Sequence, residues 1–526
     1  MSHTKPTSIQ SSAIPAIMNN SNVLVKAETG SGKTLTYLIP IVSRLLDLDT
    51  VDRTQGSYAL VIAPTRELVL QIYEVLSQLV KAFPWIVVGH IIGGEKKKSE
   101  KSRIRKGITI LIATPGRLLD HLQNTNAFKL NFLKWLVFDE ADRLLDMGFE
   151  REVTQIMKLL NEKALNEQNP IPRQNLLLSA TLSKALSNLA SVNLEKPVFI
   201  GLDSAVEEKE DNERNYNTHK IPDTLNQFFI TTPMKKKLIL LATFLRWKVK
   251  EEKDCKIIVF FSNCDSVEYF FTLFSAIQTP TLPPHMVKKG QEEYESLVPT
   301  QLFKLHGNMA QNTRTPTFHT FRNSNSAVLF CTDVAARGLD LPHVNWIVQY
   351  DPPSDPRAYI HRVGRTARIG QSGNAVVFIT PQEKSYIQVL NSKNMFLEEM
   401  PFESVVAHLK TNFEKNLQND PEVEMGALQF RFQFAVQKTD KDVDFQAMAV
   451  LAFQSFVRSY ATHTKSTRHI FDMKNLHLGH LAKAFALQDP PSSFLHVNRE
   501  PKKKKDNKRK MVTTFSQSSE FSDGLN

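Results

Sequence analysis

The sequence predicts an α/β protein with two tandem domains, each a doubly wound parallel sheet, followed by a mainly helical unit. Short apolar runs recur along the chain and are each followed by Gly, Thr, Ser or Asp. Helix-like stretches lie between these runs, and the alternation stops near Gly201 and then resumes. Such runs are typical of parallel strands that are buried on both faces, and strands alternating with helices form doubly wound sheets.

The runs predict individual elements in both domains. The predicted strands of the first domain are Val23–Val25, Ala59–Ala63, Ile86–Ile92, Ile108–Ala113, Trp135–Phe138 and Leu176–Leu178. Those of the second are Lys256–Phe261, Leu302–Leu305, Ala327–Cys331, Asn345–Tyr350 and Asn374–Ile379. The helix-like stretches include Glu67–Lys81 and Arg151–Leu160. Because ligands bind at the carboxyl ends of strands in such folds, we expect functional residues there.

Changes in composition divide the chain into segments. The first domain is predicted over residues 1–202, an acidic linker over 203–222 and the second domain over 223–400. An insertion with three prolines interrupts the second domain at about 278–300. Apolar residues at helical spacing predict a helical extension over 401–492. Residues 493–526 contain the basic run PKKKKDNKRK and are predicted to be disordered.

The overall composition excludes several classes of protein. Of the 526 residues, 41% are hydrophobic and 23% are charged, as in ordinary soluble globular proteins. A net charge of +11 favours a polyanionic partner without separating RNA, DNA and membrane headgroups. The three cysteines lack C-x-x-C spacing, which argues against a zinc site and fits a reducing compartment. Apolar runs are far shorter than the roughly 20 residues of a membrane span, so we expect no membrane association.

A candidate phosphate-binding loop follows the strand Val23–Val25. Its residues are Ala27, Glu28, Thr29, Gly30, Ser31, Gly32, Lys33 and Thr34. The glycines let backbone N–H groups converge on phosphate oxygens, and the helix that begins near Lys33 adds its positive end. In this pattern Lys33 reaches the β- and γ-phosphates and Thr34 ligates Mg²⁺. Ala27 replaces the usual Gly, so the alternative is a ligand-free turn, which the strand–loop–helix context disfavours.

Two carboxylates follow the buried strand Trp135–Phe138. Asp139 is positioned to hold Mg²⁺ from the far side of the phosphates, in part through water. Glu140 is the candidate that orients and deprotonates the attacking water. A solvated acidic loop is the alternative, but two acids directly after a buried strand are unusual there. Together with the phosphate loop, the pair predicts a hydrolase of nucleoside triphosphates.

Nine motifs in order resemble those of the DEAD-box RNA helicases, between Thr4 and Ile379. They are Pro64–Leu68, Gly93–Gly94, Thr114–Arg117, Asp139–Asp142, Ser179–Thr181, Val259–Phe261, Gln311-x-x-Arg314, Thr332–Asp340 and His361–Arg368. The resemblance implies two RecA-like domains that hydrolyse ATP in the cleft between them and grip RNA.

The resemblance also implies roles at the nucleotide. Gln10 reads the adenine edge, which suits an amide because it donates and accepts at once. Gly338 and Asp340 contact the nucleotide, with Asp340 on the ribose. Arg365 and Arg368 approach the γ-phosphate as arginine fingers, worth roughly 10³–10⁵ in rate. Ser179 and Thr181 couple hydrolysis to strand separation, and His361 joins the interdomain network.

For RNA, the resemblance implies a set of contacts from both domains. They are Pro64, Thr65, Arg66, Gly94, Thr114, Gly116 and Arg117 from the first domain, and Gln311, Arg314 and Thr332 from the second. Hydroxyls, glycine backbones and arginines suit a sugar–phosphate chain rather than base edges. For the arginines the alternative is a surface salt bridge, but their place within the motifs favours RNA.

The chain departs from the family at its start. The family usually has an aromatic residue well upstream of the adenine-reading Gln, whereas nine residues precede Gln10 here. We therefore expect the adenine-stacking residue to be absent or supplied from elsewhere, and the chain to be a truncated form or an incomplete gene model. This departure concerns the affinity for ATP.

The third unit indicates a subgroup of the family. The segments Phe456–His463, His469–Phe471 and Leu476–Phe485 resemble the helical extension of nucleolar DEAD-box helicases that assemble the large ribosomal subunit. This implies pre-ribosomal RNA as partner and a nuclear and nucleolar location. We also expect a monomer. The basic run at 502–510 fits a nucleolar address or an RNA tether. An ATP-gated RNA clamp and a DNA helicase are the alternative functions.

Overall fold

The computed structural model describes most of the chain. The described residues are 5–27, 31–48, 50–165, 172–181, 186–187, 189–190, 194, 197–201, 224–280, 294–333, 344–367, 372–409, 421–438 and 443–489. The predicted linker at 203–222 and the predicted tail at 493–526 lie outside this part. The boundaries of the predicted segments therefore stay predictions.

The described part of the first domain forms a seven-stranded parallel sheet. Its strands are β1 (Val23–Lys26), β2 (Ala59–Ile62), β3 (Val88–Ile91), β4 (Ile110–Ala113), β5 (Trp135–Phe138), β6 (Gln174–Ser179) and β7 (Val198–Ile200), in the order β3-β4-β2-β5-β6-β1-β7. Successive residues of β1 alternate between two cores: Val23 and Val25 pack in one and Leu24 in the other. Both faces are thus covered, which explains the unbroken apolar runs in the sequence.

Helices precede and separate these strands along the chain. They are α1 (Ser8–Met18), α2 (Lys33–Leu46), α3 (Arg66–Leu79), α4 (Lys97–Lys106), α5 (Pro115–Asn124), α6 (Ala141–Asp146) and α7 (Glu150–Leu165). Local chemistry sets their starts. The Thr65 side chain accepts a hydrogen bond from the Leu68 backbone N at the start of α3, and Pro115 occupies the first turn of α5.

The second domain repeats the architecture within its described residues. Its sheet contains β8 (Leu225–Thr231), β9 (Lys256–Phe260), β12 (Gln301–Leu305), β13 (Ala327–Cys331), β14 (Trp346–Gln349), β15 (Gly373–Ile379) and β16 (Glu398–Glu399), in the parallel order β12-β13-β9-β14-β15-β8-β16. Its helices are α8 (Lys237–Glu251), α9 (Cys264–Ala276), α10 (Gln311–Asn323), α11 (Pro356–Val363), α12 (Ser385–Asn391) and α13 (Phe402–Val406). The predicted fold class is confirmed, although β7, β8 and β16 were not among the predicted strands.

The predicted insertion begins and ends in an antiparallel pair. Strands β10 (Gln278–Pro280) and β11 (Tyr294–Ser296) form it, outside the main sheet. Arg246 of α8 pairs with Glu295 of β11, which ties this pair of strands to the domain.

The C-terminal extension packs onto the second domain. Its helices are α14 (Pro421–Gln437), α15 (Phe445–Tyr460) and α16 (Leu478–Ala484). The predicted packing role of Phe453, Phe456 and Tyr460 is confirmed, since all three are buried in the core cluster that also contains the second sheet. A single apolar core therefore joins the extension to that domain.

Side-chain hydrogen bonds add to this junction. Tyr269 Oη of α9 donates to the Phe485 carbonyl at 2.6 Å, and Tyr460 Oη donates to Glu383 Oε1 at 2.8 Å. Buried hydroxyls of this kind need such partners. No helix among the described residues has the length and apolar character required to cross a membrane.

Candidate functional site

The predicted phosphate loop lies in the sequence between β1 and the first turn of α2. Gly32 has a left-handed backbone (φ 90°), and a Cβ added there would lie 2.5 Å from Gln10 Nε2. Gln10 Nε2 donates to the Gly32 carbonyl at 3.1 Å, and Thr7 Oγ1 donates to the Ser31 carbonyl at 2.9 Å. The start of α1 therefore holds the second half of the loop, and the left-handed backbone at position 32 favours glycine. Glu28, Thr29 and Gly30 lie outside the described residues.

Lys33 lies at the centre of the site and is almost fully buried. Its Nζ donates to the Ala27 carbonyl at 2.6 Å. Burial lowers the pKa of the Lys33 ammonium, while the charges of Glu140 and Asp139 raise it. Phosphate oxygens are stronger acceptors for an ammonium than a backbone carbonyl is, so the arrangement suits a triphosphate in the loop.

Asp139 is buried at the carboxyl end of β5. Tyr37 Oη donates to Asp139 Oδ2 and the Glu140 backbone N donates to Asp139 Oδ1, each at 2.9 Å. Burial raises the pKa of Asp139 to about 6, and the charge of Glu140 adds to the rise. A cation beside this carboxylate would favour its ionised form, so Asp139 fits the predicted Mg²⁺ site. Thr34 is half-buried in the first turn of α2.

Tyr37 was not among the predicted site residues. It comes four positions after Lys33, and residues with that spacing share one face of a helix. This periodicity is the signal that could have identified it.

Glu140 has a strained backbone for a residue with a side chain. Its φ of 49° and ψ of 52° are left-handed, a conformation that costs about 1–3 kcal/mol when a residue other than glycine adopts it. Arg143 Nε lies 3.2 Å from Glu140 Oε2, and Arg143 is fully buried. This ion pair orients the carboxylate that we predict to act on the attacking water.

The predicted coupling segment connects the acidic residues to the phosphate loop. Thr181 Oγ1 donates to Asp142 Oδ2 at 2.8 Å, and the Thr181 backbone N donates to the same oxygen at 3.1 Å. Ser179 Oγ donates to the Thr181 carbonyl at 2.6 Å. The Ser179 carbonyl in turn accepts a hydrogen bond from the Ala27 backbone N at 2.9 Å. A continuous chain of hydrogen bonds therefore runs from Asp142 to the start of the loop.

A cleft of about 640 Å³ separates the two domains. Its lining includes seven of the ten predicted RNA contacts: Pro64, Thr65, Arg66, Thr114, Gly116, Arg117 and Arg314. Gly94 follows the lining residue Gly93, and Thr332 precedes the lining residue Asp333. Gln311 begins α10, and its side chain is outside the description. The structure thus brings most of this set to one surface, while its contact with RNA stays a prediction.

Arg66 lies against the two predicted glycines. A Cβ on Gly94 would be 2.6 Å from Arg66 Nη1, and a Cβ on Gly93 would be 2.9 Å from Arg66 Nη2. Gly94 also has a left-handed φ of 93°. The glycines therefore leave room for the guanidinium beside the cleft.

Arg117 is held by a buried carboxylate that sequence reasoning did not identify. Glu100 pairs with Arg117, accepts from the Ile92 backbone N at 3.0 Å and lies 3.1 Å from His121 Nε2. Burial opposes ionisation of Glu100, but the His121 hydrogen bond and the Arg117 charge outweigh it and lower its pKa. No local sequence pattern marks Glu100 or His121 as site residues, because Glu100 is 17 residues from Arg117 and 21 residues from His121 along the chain.

Arg314 crosses the cleft. Its Nε lies 2.8 Å from Glu67 Oε1 of the first domain, and both side chains are more than nine-tenths buried. Arg117 and Arg314 therefore do form ion pairs, which was the alternative to RNA contact. These pairs are largely buried rather than on the surface, and both arginines line the cleft. Arg357 and Asp146 form a second interdomain pair at 3.4 Å.

The predicted arginine fingers follow α11. Arg365 and His361 are buried, whereas Arg368, Gly338 and Asp340 lie outside the described residues. Arg362, to which no role was assigned, forms two hydrogen bonds with Asp333, at 2.6 and 3.0 Å. This pair ties α11 to the end of β13 next to the cleft.

Three family models match the chain. Residues 7–189 match "DEAD/DEAH box helicase" and residues 236–370 match "Helicase conserved C-terminal domain". Residues 442–493 match "ATP-dependent rRNA helicase SPB4-like, C-terminal extension".

Curated relatives are similar over nearly all of the chain. The Dictyostelium discoideum protein named "ATP-dependent DNA helicase DDX31" is 40% identical over 100% of this chain and 68% of its own length. The Homo sapiens protein of that name is 41% identical over 94% of this chain, which spans 60% of the human protein. The Oryza sativa "DEAD-box ATP-dependent RNA helicase 17" is 40% identical over 97% of this chain and 91% of its length.

Among solved structures, "DEAD-box helicase Mss116 bound to ssRNA and UDP-BeF" superposes with a TM-score of 0.73. Its sequence is 25% identical, and the match covers 94% of this chain and 88% of that one.

Proposed function

Since this chain belongs to the DEAD-box family of ATP-dependent RNA helicases, we propose that RNA stimulates it to hydrolyse ATP and that hydrolysis drives local unwinding or remodelling of RNA. One observation carries this proposal. The phosphate loop and acidic pair of the first domain occur together with an interdomain cleft that seven of the ten predicted RNA contacts line. The hydrogen bonds of Thr181 and Ser179 supply a path between the acidic residues and the loop.

Each residue of the nucleotide site has a proposed task. Lys33 and the loop amides bind the β- and γ-phosphates, and Gln10 stands beside the loop for the base. Glu140 takes the proton of the attacking water. Asp139 and Thr34 would hold Mg²⁺, which supplies positive charge to the phosphate oxygens when bound. Arg365 and Arg368 stabilise the charge that develops on the γ-phosphate.

The proposed substrate is RNA, although two relatives carry the name of a DNA helicase and a third that of an RNA helicase. The solved structure with a TM-score of 0.73 holds single-stranded RNA, which supports RNA here. Comparing the stimulation of ATP hydrolysis by RNA and DNA strands that differ only at the 2′-hydroxyl distinguishes an RNA helicase from a DNA helicase. Equal stimulation of ATP hydrolysis by both strands would argue against RNA specificity.

We further propose that this RNA is ribosomal and that the protein acts as a monomer in the nucleolus. The match of residues 442–493 to the extension of an rRNA helicase supports the assignment. The basic run at 502–510 fits both a nucleolar address and an RNA tether. Crosslinking in cells would locate the RNA positions bound.

The test compares ATP hydrolysis with and without single-stranded RNA. We expect clear stimulation in the unchanged chain, loss of nucleotide binding in Lys33→Ala, and retained binding without turnover in Glu140→Gln. Lys81→Ala and Glu150→Gln change exposed residues of the same types outside the site and serve as controls. Hydrolysis that RNA does not stimulate, or normal turnover in Glu140→Gln, would contradict the proposal.

The alternative of a clamp with little unwinding is not favoured, because relatives about 40% identical to this chain are named helicases. A clamp would use the same residues, so unwinding of a short duplex under multiple turnover decides between them. Repeated turnover supports the helicase, and one slow release per ATP supports the clamp.

A further inference from the structure

A strongly basic helix borders the cleft. Residues 96–106, which comprise α4 and the residue before it, contain seven cations and one acid. The cations are Lys96, Lys97, Lys98, Lys101, Arg103, Arg105 and Lys106. The acid, Glu100, is fully buried and points inward to Arg117 and His121. The surface of the helix therefore carries positive charge alone.

Two of these cations are neutralised. Lys97 Nζ lies 2.6 Å from Asp120 Oδ1, and Arg103 pairs with Glu95. In the described part of the chain, no carboxylate lies within ion-pair distance of the others, which are Lys96, Lys98, Lys101, Arg105 and Lys106. Lys101 Nζ donates instead to the Asn124 carbonyl at 3.3 Å.

This charge distribution is unfavourable for the helix alone. Lys101 and Arg105 are an i,i+4 pair of like charge, which destabilises a helix by about 0.2–0.5 kcal/mol. Lys96 and Lys98 stand at the N-terminus of α4, where the helix dipole favours anions. An anionic partner would relieve both effects.

The helix connects two cavities. At its start, Lys97 pairs with Asp120, which lines the interdomain cleft next to Arg117. At its end, Arg105 lines a second cavity of about 240 Å³ together with Arg53 and Lys129. The hydroxyl-bearing residues Thr54 and Ser57 also line that cavity. The helix thus runs from the edge of the cleft to a pocket lined by three cations.

We propose that this basic track binds the phosphate backbone of RNA where the strand leaves the cleft. The track consists of Lys96, Lys98, Lys101, Arg105 and Lys106, with Arg53 and Lys129 at its far end. The inference rests on the proposed function, because it requires RNA in the cleft.

The dimensions and chemistry of the track fit a polynucleotide. Ten helical residues span about 15 Å, which corresponds to about four phosphates of a helical strand at 3.4 Å each. The aromatic residue that lines the far cavity, Phe128, is buried, so the track offers cations and hydroxyls rather than stacking surfaces. Such a surface binds the backbone without reading sequence.

The test uses a short single-stranded RNA that fills the cleft and the same RNA lengthened at its 5′ or 3′ end. Binding is measured with a non-hydrolysable ATP analogue at several salt concentrations. The track variant combines Lys96→Gln, Lys98→Gln, Arg105→Gln and Lys106→Gln, all exposed positions. The control variant, Lys81→Gln, Lys158→Gln, Lys253→Gln and Lys438→Gln, removes equal charge from exposed lysines elsewhere.

We expect the unchanged chain to bind one lengthened RNA more tightly than the short one. The track variant should lose this gain, and its slope of log K against log salt should fall by up to about 3, at roughly 0.7 per contact. Binding of the short RNA and its stimulation of ATP hydrolysis should stay unchanged. The control variant should keep the gain from lengthening.

Three results would overturn the inference. One is no gain from lengthening in the unchanged chain, and another is a full gain in the track variant. The third is a poly-glutamate peptide that binds the track of the unchanged chain beside the short RNA and that the lengthened RNA does not displace, which would assign the track to an acidic protein. Failure of the short RNA to stimulate ATP hydrolysis would instead contradict the proposed function, so the two failures are distinguishable.

Discussion

At the scale of single residues, the site depends on buried acids whose partners fix their geometry. Asp142 accepts two hydrogen bonds on one oxygen, from the backbone and the side chain of Thr181. The side-chain bond is the one that a substitution can remove. It joins the acidic segment to β6, whose last residue contacts the phosphate loop.

We predict that Thr181→Val separates ATP hydrolysis from unwinding. The variant keeps the shape of the side chain but leaves a buried carboxylate oxygen with one hydrogen-bond donor fewer. Removing such a partner lowers the free energy of unfolding by about 1–3 kcal/mol. Hydrolysis stimulated by RNA should stay within a few-fold of normal, while duplex unwinding should fall by at least tenfold. Thr181→Ser keeps the hydroxyl and should retain both activities. Equal losses of hydrolysis and unwinding in Thr181→Val would refute the coupling role.

At the scale of elements, the extension is built into the second domain. His463 follows α15 and stacks on Phe471 with ring centroids 3.9 Å apart. Both residues line a small polar cavity together with Arg362. Burial lowers the pKa of His463 from 6.5 to about 4, and the charge of Arg362 adds to the shift. Folding therefore keeps this imidazole neutral.

This shift predicts a pH dependence of stability. The unfolded chain binds a proton at His463 below pH 6.5, whereas the folded chain does so only near pH 4. The contribution of His463 is therefore fully present above pH 6.5 and is lost as the pH falls towards 4, by up to about 3 kcal/mol. Urea unfolding of His463→Gln should vary less between pH 7 and pH 5 than that of the unchanged chain.

His469→Gln is the matched control, because His469 is an exposed histidine of the same segment. It should keep the pH dependence of the unchanged chain. Identical pH profiles for His463→Gln and the unchanged chain would exclude His463 as the source.

At the scale of the whole molecule, side-chain pairs of unequal burial connect the domains. Arg314 and Glu67 are 6% and 8% exposed, whereas His319 and Glu74, 3.9 Å apart, are 43% and 48% exposed. Removing one member of a buried pair costs about 3–5 kcal/mol, and an exposed pair contributes about 0–1 kcal/mol. The closed arrangement of the domains should therefore depend on the first pair.

We predict that Glu67→Ala shifts the protein towards an open arrangement. The variant leaves the Arg314 guanidinium without its carboxylate partner across the cleft. Energy transfer between dyes on exposed positions of the two domains, with RNA and an ATP analogue, should show less closure. Stimulation of hydrolysis by RNA should fall in parallel. Glu74→Ala is the control at the same interface, and a loss of closure as large as that of Glu67→Ala would contradict the prediction.

Much of the fold could be predicted because buried strands and helices have characteristic local patterns of apolar residues. Strands covered on both faces read as apolar runs, and Trp135–Phe138 and Ala327–Cys331 have their predicted bounds. The edge strands β7 and β16 were not predicted because they are short and include exposed residues. The strand β8 was not predicted because polar and partly buried positions interrupt its apolar pattern.

By itself, the sequence determined the fold class and predicted the residues of the phosphate loop and acidic pair, because a strand, a turn and a helix start are encoded within a few neighbouring positions. The tertiary structure decided which distant groups meet: Tyr37 with Asp139, Glu100 with Arg117 and His121, and Glu67 with Arg314. It also decided that Lys97 of α4 pairs with Asp120 at the cleft and that Arg105 lines a second cavity together with Arg53 and Lys129. Such contacts depend on how the sheets and domains pack, and no local pattern of residues records that packing.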